Sequence, residues 1–364
     1  MNDTPIPPAQ SPWWHPDGLA ERLPRLRARN NVAAAVRAYF ETRDFVEVET
    51  PALQVSPGME PHLIAFATEL HEPFESEAAR RLYLHTSPEF AMKKLLVAGM
   101  PRIFQLARAW RNGERSPLHH PEFTMLEWYR AHENWRGVAA DCEEIVRMAL
   151  IAARGGGSGA GNEIQFDGLR CDPAAPWTYI SVTDAFHRYC DIDLMATMAD
   201  PLNPDGAALA AEAARIGVRT DSGDHWETLF FRILLDRIEP SLGVGSPSVL
   251  YDWPLSMAAL ARQSPDDGRV AERFEVFVCG VELANGFGEL TDAAEQRRRF
   301  EADAARKQSL YGHAYPIDED FLAALDHGMP ESAGIALGFD RLVMLCTGAC
   351  TIEEVLWAPV VTAC

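Results

Sequence analysis

The chain has 364 residues, 47% of them hydrophobic and 24% charged, which is ordinary for a globular protein with one large core. Its net charge of -20 argues against nucleic acid as the main partner, because broad phosphate binding needs a basic surface, and the arginines near residues 22–29 more simply predict a solvated helix face. The chain contains no apolar stretch of roughly 18 residues that would predict a membrane span. Residues 1–10 lack a secretory signal, so we expect a cytoplasmic protein. The seven cysteines include no CxxC pair, so we expect neither a disulfide framework nor a zinc site.

The N-terminal half of the chain predicts an arm, a helix and a long hairpin. Residues 1–30 are rich in proline and predict a partly ordered arm, after which Asn30 or Asn31 caps a helix. Residues 45–49 alternate like a strand that Pro51 ends. Two further strands, 103–111 and 122–130, enclose a polar loop containing glycine and proline, which predicts a hairpin.

The C-terminal half alternates between helices and strands. Residues 136–153 predict a helix, 155–161 a flexible Gly/Ser linker, and 181–190 and 205–240 further helical segments. Residues 274–290 read as strand, and Asp292 then caps a helix that Gly312 ends. Residues 334–341 pass from a strand into a last helix. Together these elements predict an α+β fold, an antiparallel sheet flanked by helices, in one domain over residues 31–364.

Two glutamates flank the turn of the predicted strand pair at 274–290. A hairpin turning at Cys279-Gly280 would bring the carboxylates of Glu275 and Glu282 close together. Two carboxylates without a nearby cation repel each other, and a magnesium ion resolves this because it typically uses one or two carboxylates plus substrate phosphates. The alternative is a pair of exposed strand glutamates.

The same region offers a face suited to an ammonium group. Asn285, Phe287 and Glu289 alternate along the strand, and the intervening Gly286 and Gly288 let a ligand approach the backbone. An amide, an aromatic ring and a carboxylate together suit a cationic ligand. The alternative is a turn with an incidental acid.

The predicted hairpin and its surroundings supply a second set of candidates. Arg111 lies at the edge of the loop, where a guanidinium could hold a carboxylate and a phosphate. Glu127 and Tyr129 are two residues apart and point the same way. Glu89, in Ser-Pro-Glu before a helix, adds another acid, although an N-terminal cap is its ordinary explanation.

Arg341 begins the last predicted helix, shortly after Gly338. Backbone approach at the glycine and a fixed guanidinium suit the base and γ-phosphate of a nucleotide. The chain has no GxxxxGK[ST] motif, which excludes a P-loop ATPase. Each feature has a plain structural alternative, but the ordered set points to an enzyme that uses ATP and magnesium to activate the carboxylate of a small cationic amino acid.

This ordered set resembles the class II aminoacyl-tRNA synthetases, specifically the lysyl branch. Residues 45–51 resemble the first motif, which usually forms the dimer interface, 104–129 the second, 334–341 the third and 282–290 the lysyl-type stretch. Lysyl synthetases carry an anticodon-reading barrel before the first motif, and residues 1–30 leave no room for one, so we expect no anticodon-binding domain. The chain therefore resembles the lysine ligases of elongation factor P, which attach β-lysine, activated as its adenylate, to a lysine of that factor.

The resemblance implies roles for matching positions. Arg111 would contact the α-phosphate and the substrate carboxylate, Arg341 would hold the γ-phosphate, and both would serve catalysis, while magnesium would be bound by Glu275 and Glu282. The implied ATP-binding positions are Arg111, Asn112, Gly113, Glu114, His120, Glu282, Leu283, Gly338 and Arg341. The implied substrate-binding positions are Ser87, Pro88, Glu89, Glu127, Tyr129, Asn285, Phe287 and Glu289. Among them, Glu89 would meet the amino group nearer the carboxylate, and Glu127, Tyr129 and Glu289, helped by Asn285 and Phe287, would enclose the side-chain ammonium.

Two positions depart from the lysyl pattern. Gly113 stands where glutamate is common, so adenine contact would fall to Glu114 or to backbone, and His120 stands where asparagine is usual. The implied ligands and partners are ATP, magnesium, lysine or β-lysine, elongation factor P and a second copy of the chain, with neither a membrane nor tRNA expected. Two alternatives stay open: a tRNA-dependent or free amino-acid ligase of the same fold, and a non-catalytic paralogue that binds an amino acid.

Overall fold

The computed structural model describes residues 13–72, 79–155 and 162–360. The start of the predicted arm and nearly all of the predicted linker, 156–161, lie outside these ranges. The helices are α1 (Pro16–Glu41), α2 (Glu89–Val97), α3 (Trp135–Ala153), α4 (Val182–Cys190), α5 (Gly206–Arg215), α6 (Trp226–Ile233), α7 (Ala293–Tyr311), α8 (Glu319–Gly328) and α9 (Phe339–Thr347). Within the described ranges, no helix is long and apolar enough to cross a membrane.

The strands are β1 (Val46–Glu47), β2 (Leu53–Gln54), β3 (Ala67–Leu70), β4 (Arg80–Leu84), β5 (Arg102–Trp110), β6 (Glu122–Ala131), β7 (Ile164–Phe166), β8 (Leu169–Cys171), β9 (Thr178–Ser181), β10 (Ser248–Pro254), β11 (Val270–Val278), β12 (Val281–Gly288) and β13 (Ser332–Gly338). The main sheet has the order β1-β5-β6-β13-β12-β11-β10-β9. Its central pairs are antiparallel, whereas β1 with β5 and β9 with β10, at the two edges, are parallel. The α+β prediction is thus confirmed, with a mixed sheet in place of a purely antiparallel one.

The prediction that the first helix starts at Asn30 or Asn31 is wrong, since α1 begins at Pro16. A proline fits the first helical position because the N–H that it lacks would be unpaired there anyway. Pro24 is tolerated inside the helix, whose second half buries Val32, Val36 and Phe40 in the core. Tertiary packing therefore outweighs the proline-rich composition.

Two of the arginines that were expected on a solvated face of α1, Arg22 and Arg29, are instead held by the protein, whereas Arg27 is exposed. Arg29 is buried in an ion pair with Asp340, and its second terminal nitrogen donates to Thr124 Oγ1 at 2.8 Å. Arg22 donates to the carbonyl of Leu356 at 2.6 Å. These side chains fasten α1 to the core and to the C-terminal segment, which leaves them unavailable as a phosphate-binding patch.

The alternation of side chains along β6 divides the molecule into two faces. Leu126 and Trp128 point to the face covered by α1, α3 and α9, where they join the largest hydrophobic cluster. Glu127 and Tyr129 point to the opposite face, on which α2, α7 and α8 close one end. A separate cluster of α4, α5 and α6 covers β9 and β10. The second face is left partly uncovered, and a cavity lies there.

Two local predictions that position this cavity are confirmed. β5 and β6 pair antiparallel from Arg102–Arg130 to Trp110–Glu122, which is the predicted hairpin. Asp292 caps α7 by accepting the N–H of Glu295, and Gly312 ends the helix in a left-handed conformation. The predicted strand at 45–49 shortens to the two residues Val46 and Glu47, which pair with β5, after which Val48 adds one backbone hydrogen bond to Phe104.

Candidate active site

The cavity on the second face of the sheet has a volume of about 280 Å³. It collects predicted residues from the separate motifs of the sequence. Those that line it are Ser87, Glu89, Arg111, Glu114, His120, Glu282, Leu283, Asn285, Phe287, Gly338 and Arg341. Arg111 and Arg341 therefore face one space with Glu282, as a common triphosphate site requires.

The two arginines define the outer part of the cavity. Arg341 donates to the carbonyls of Glu282 at 2.8 Å and Leu118 at 3.2 Å, and its Nη2 lies 2.7 Å from His119 Nε2. Burial, followed by the charge of Arg341, lowers the pKa of His119, so its neutral ring accepts the third N–H. Arg111 lies over the ring of Phe123 at 5.3 Å, and its buried Nε has no hydrogen-bond partner among the described residues. Both guanidinium charges remain without a carboxylate partner in the described ranges, which suits an anionic ligand.

The predicted metal acids lie on the neighbouring strands β11 and β12. A bulge offsets the register, so that Glu275 pairs with Asn285 and Glu282 pairs with Phe277. Burial, followed by the charge of Glu282, raises the pKa of Glu275 to about 8. Arg273, which the sequence reasoning did not consider, donates to Glu275 at 2.6 Å. The two carboxylates thus interact although they are not directly opposite each other.

Of the two acids, Glu282 lines the cavity, where it could hold a magnesium ion jointly with phosphates, whereas Glu275 is buried beside Arg273 and does not line it. Among the described side chains, no group of three or more histidine, cysteine, aspartate or glutamate residues could enclose a metal alone. Magnesium needs only one or two carboxylates when phosphate oxygens complete its shell. Glu239 is a nearby acid that the sequence reasoning missed, and burial, followed by the charge of Glu282, raises its pKa to about 7.

The inner end of the site is a group of buried acids, of which Glu89 lines the cavity while Glu127 and Glu289 lie behind it. The Tyr129 hydroxyl donates to Glu127 Oε1 at 2.5 Å, and the Ser87 hydroxyl donates to Glu127 Oε2 at 2.7 Å. Burial, followed by the charge of Glu89, raises the pKa of Glu127 to about 8. Glu127, Tyr129 and Glu289 do not line the cavity itself but lie directly behind it, each buried.

A lysine that the sequence reasoning missed lies among these acids. Lys93 is fully buried, and its Nζ lies 2.5 Å from Glu89 Oε1 and 2.5 Å from Glu289 Oε2. Burial alone would lower the pKa of Lys93, but Glu289 and Glu89 together raise it, so the ammonium stays charged. Burial outweighs the attraction of the shared Lys93 and raises the pKa of Glu289 to about 7. The only sequence signal was the i,i+4 spacing of Glu89 and Lys93.

Some predicted positions lie away from the cavity. Asn112 and Gly113 are exposed on the loop, where the positive φ of 83° at Gly113 favours glycine. Pro88 caps α2 beside Ser87.

His120 lines the cavity, but its Nδ1 lies 2.6 Å from the carbonyl of Glu122 and its Nε2 accepts the N–H of Val360 at 3.1 Å. Both ring nitrogens of His120 are therefore engaged by the protein, and neither is free to contact ATP.

The sequence matches a known family. The chain belongs to the class II tRNA synthetases (D, K and N), whose family model matches residues 20–362. It is 38% identical over 345 residues to the elongation factor P–(R)-β-lysine ligase of Edwardsiella ictaluri (strain 93-146). The aligned region covers 94% of this chain and 96% of that protein. The family membership confirms the predicted fold and the predicted resemblance.

Proposed function

We propose that this protein is a ligase that activates lysine or β-lysine with ATP and transfers it to a lysine side chain of elongation factor P. The observation that carries the proposal is the shared cavity of about 280 Å³, which Arg111, Arg341 and Glu282 line and which buried acids back. Similarity to a β-lysine ligase over nearly the full length supports the same chemistry.

The first step would form an adenylate. A carboxylate oxygen of the amino acid, held by Arg111, attacks the α-phosphorus of ATP in line, the α–β anhydride bond breaks, and pyrophosphate leaves. Arg341 would hold the γ-phosphate end and balance charge as it develops. Magnesium bound by Glu275 and Glu282 would neutralise phosphate charge. Positioning of the two anions supplies much of the rate, because like charges must be brought together before the bond can form.

The second step would form an amide. The neutral ε-amine of the acceptor lysine attacks the adenylate carbonyl, the bond to the phosphate oxygen breaks, AMP leaves, and the proton lost from the amine passes to solvent. The reaction conserves atoms and needs no other reactant. The net charge of -20 favours a protein acceptor over tRNA. We place the reaction in the cytoplasm, where translation takes place.

We further propose that the protein acts as a homodimer. Three apolar side chains on and beside the segment that resembles the dimer-forming motif are at least two-fifths exposed in the single chain: Val46 at 50%, Leu53 at 44% and Val55 at 54%. Burial of such a patch against a second copy would remove apolar surface from water. Sedimentation of wild type and of Val55→Glu tests this, and we expect only the variant to be monomeric.

Pyrophosphate exchange tests the main proposal. Purified protein with magnesium and no tRNA should exchange labelled pyrophosphate into ATP when given lysine or β-lysine, and should then label elongation factor P. Absence of exchange with every amino acid would favour a non-catalytic binder. Exchange followed by loading of tRNA, and not of elongation factor P, would favour the alternative ligase.

A further inference from the structure

Glu60 is an acid of the cavity wall for which neither the motifs nor the mechanism has provided a role. It lies in the loop between β2 and β3 and lines the same cavity as Arg111. Its Oε2 atom is buried without a hydrogen-bond partner among the described residues, and the same is true of Arg111 Nε. Two unpaired groups of opposite charge thus face one space, which is the arrangement that a zwitterion would satisfy.

The loop is built to hold Glu60 in this position. Lys307 of α7 is almost fully buried and donates to the carbonyls of Pro61 at 2.7 Å and Leu63 at 2.6 Å, on either side of the loop. Gly58 has a φ of 137°, and a Cβ at this position would lie only 2.7 Å from Glu60 Oε2. Glycine at 58 therefore leaves the space into which the carboxylate turns.

Among the described residues, no cation forms a direct ion pair with Glu60. Lys93 already pairs with Glu89 and Glu289, so its one ammonium is shared. Burial, followed by the charge of Glu89, raises the pKa of Glu60, as expected for an acid that lacks a partner. Glu60 lines the same cavity as Arg111, to which we assign the substrate carboxylate, and the charge of Arg111 offsets part of the rise in the pKa of Glu60.

We propose that Glu60 is a substrate-binding residue that pairs with the ammonium group closest to the substrate carboxylate, and so selects diamino acids over amino acids that carry only the distal ammonium. The inference rests on the proposed function and deepens it. The distal ammonium is left to the inner end of the cavity, while the remaining oxygen of Glu89 assists Glu60. A neutral residue at 60 would leave the proximal ammonium with only an acid that Lys93 has already partly neutralised.

The test compares two ligands that differ only in the proximal amine, lysine and 6-aminohexanoic acid. Their affinities are measured by displacement of labelled lysine in the presence of magnesium and α,β-methylene ATP, which cannot be cleaved at the α–β bond. Wild type should bind lysine more tightly. Glu60→Gln should weaken lysine by about 10- to 100-fold, the value of a charge-assisted hydrogen bond, and leave 6-aminohexanoic acid within about twofold.

Controls separate this role from a structural one. Glu69→Gln removes the same charge from exposed β3 and should change neither affinity. Glu60→Asp keeps the charge, so it should retain part of the preference for lysine, and it serves as the test if Glu60→Gln fails to fold. An equal loss for both ligands would overturn the inference. Wild type that binds no lysine and exchanges no pyrophosphate would instead overturn the proposed function.

Discussion

The outer and inner ends of the cavity carry opposite charges, and the protein compensates these charges to different degrees. At the outer end, Arg111 and Arg341 keep their charges unpaired by any described carboxylate, and neutral acceptors such as the Glu282 carbonyl and His119 hold Arg341 in place. At the inner end, Glu89, which lines the cavity, and Glu289, which lies behind it, share the buried Lys93. The unpaired positive charges of the outer end therefore suit a polyanion bound together with a metal ion. The negative charge of the inner end is already partly neutralised by Lys93 before any cation binds.

This difference shows where stability and function are linked. Charges at the outer end are partly solvated, so their removal should reduce activity more than stability. Charged groups at the inner end are buried away from water. Removal of one partner would leave the others unpaired in a medium of low polarity, which should reduce stability.

The largest effect is expected from removal of the buried cation. Lys93→Met should lower the free energy of unfolding by about 3–5 kcal/mol, because Glu89 and Glu289 lose their shared partner. Denaturant unfolding measures it. Lys94→Met is the matched control, since the neighbouring ammonium is partly exposed in its pairs with Asp318 and Asp320, and it should cost about 1 kcal/mol or less.

A second substitution sharpens the result for Lys93. Glu289→Gln in the Lys93→Met background removes one of the stranded charges and should recover part of the lost stability. Equal costs for Lys93→Met and Lys94→Met would contradict a charged inner cluster and indicate that Lys93 acts only through its packing.

The next largest effect concerns the outer end. Arg341→Ala should reduce the rate of pyrophosphate exchange by about 10²–10³-fold, because a preorganised charge on the phosphates is lost, while the denaturation midpoint changes little. Arg297→Ala breaks an exposed pair with Glu319 and serves as the control. A loss of stability as large as that of Lys93→Met would remove the contrast between the two ends.

The smallest effect is a pH dependence of the inner end. Burial raises the pKa of Glu127 from 4.5 to about 8, so the folded protein binds this proton more tightly than the unfolded chain. Its contribution to stability is then fully present below pH 4.5 and is lost as pH rises through about 8. Glu127→Gln should reduce the loss of stability between these limits by on the order of 1–3 kcal/mol, measured by urea unfolding of the ligand-free protein. An unchanged slope, equal to that of the exposed-acid control Glu69→Gln, would show that Glu127 is already ionised.

Several features could be predicted because they depend on neighbours along the chain. The β5–β6 hairpin follows from two alternating stretches around a polar loop, and the start and end of α7 follow from Asp292 and Gly312. The start of α1 was predicted wrongly, because its prolines were read as helix breakers. Pro16 lies at the first helical position, where proline is favoured, and the cost of Pro24 inside the helix is offset by packing against the core.

The sequence by itself determined which charged residues are available and the order of the motifs that carry them, since these are local properties that a resemblance can recognise. Only the tertiary structure decided that Lys93 lies between Glu89 and Glu289, that Glu60 faces Arg111 across the cavity and that His120 holds the C-terminal segment. The physical reason is that the energy of a buried charge depends on partners brought close by folding from distant parts of the chain, and local periodicity carries no record of them.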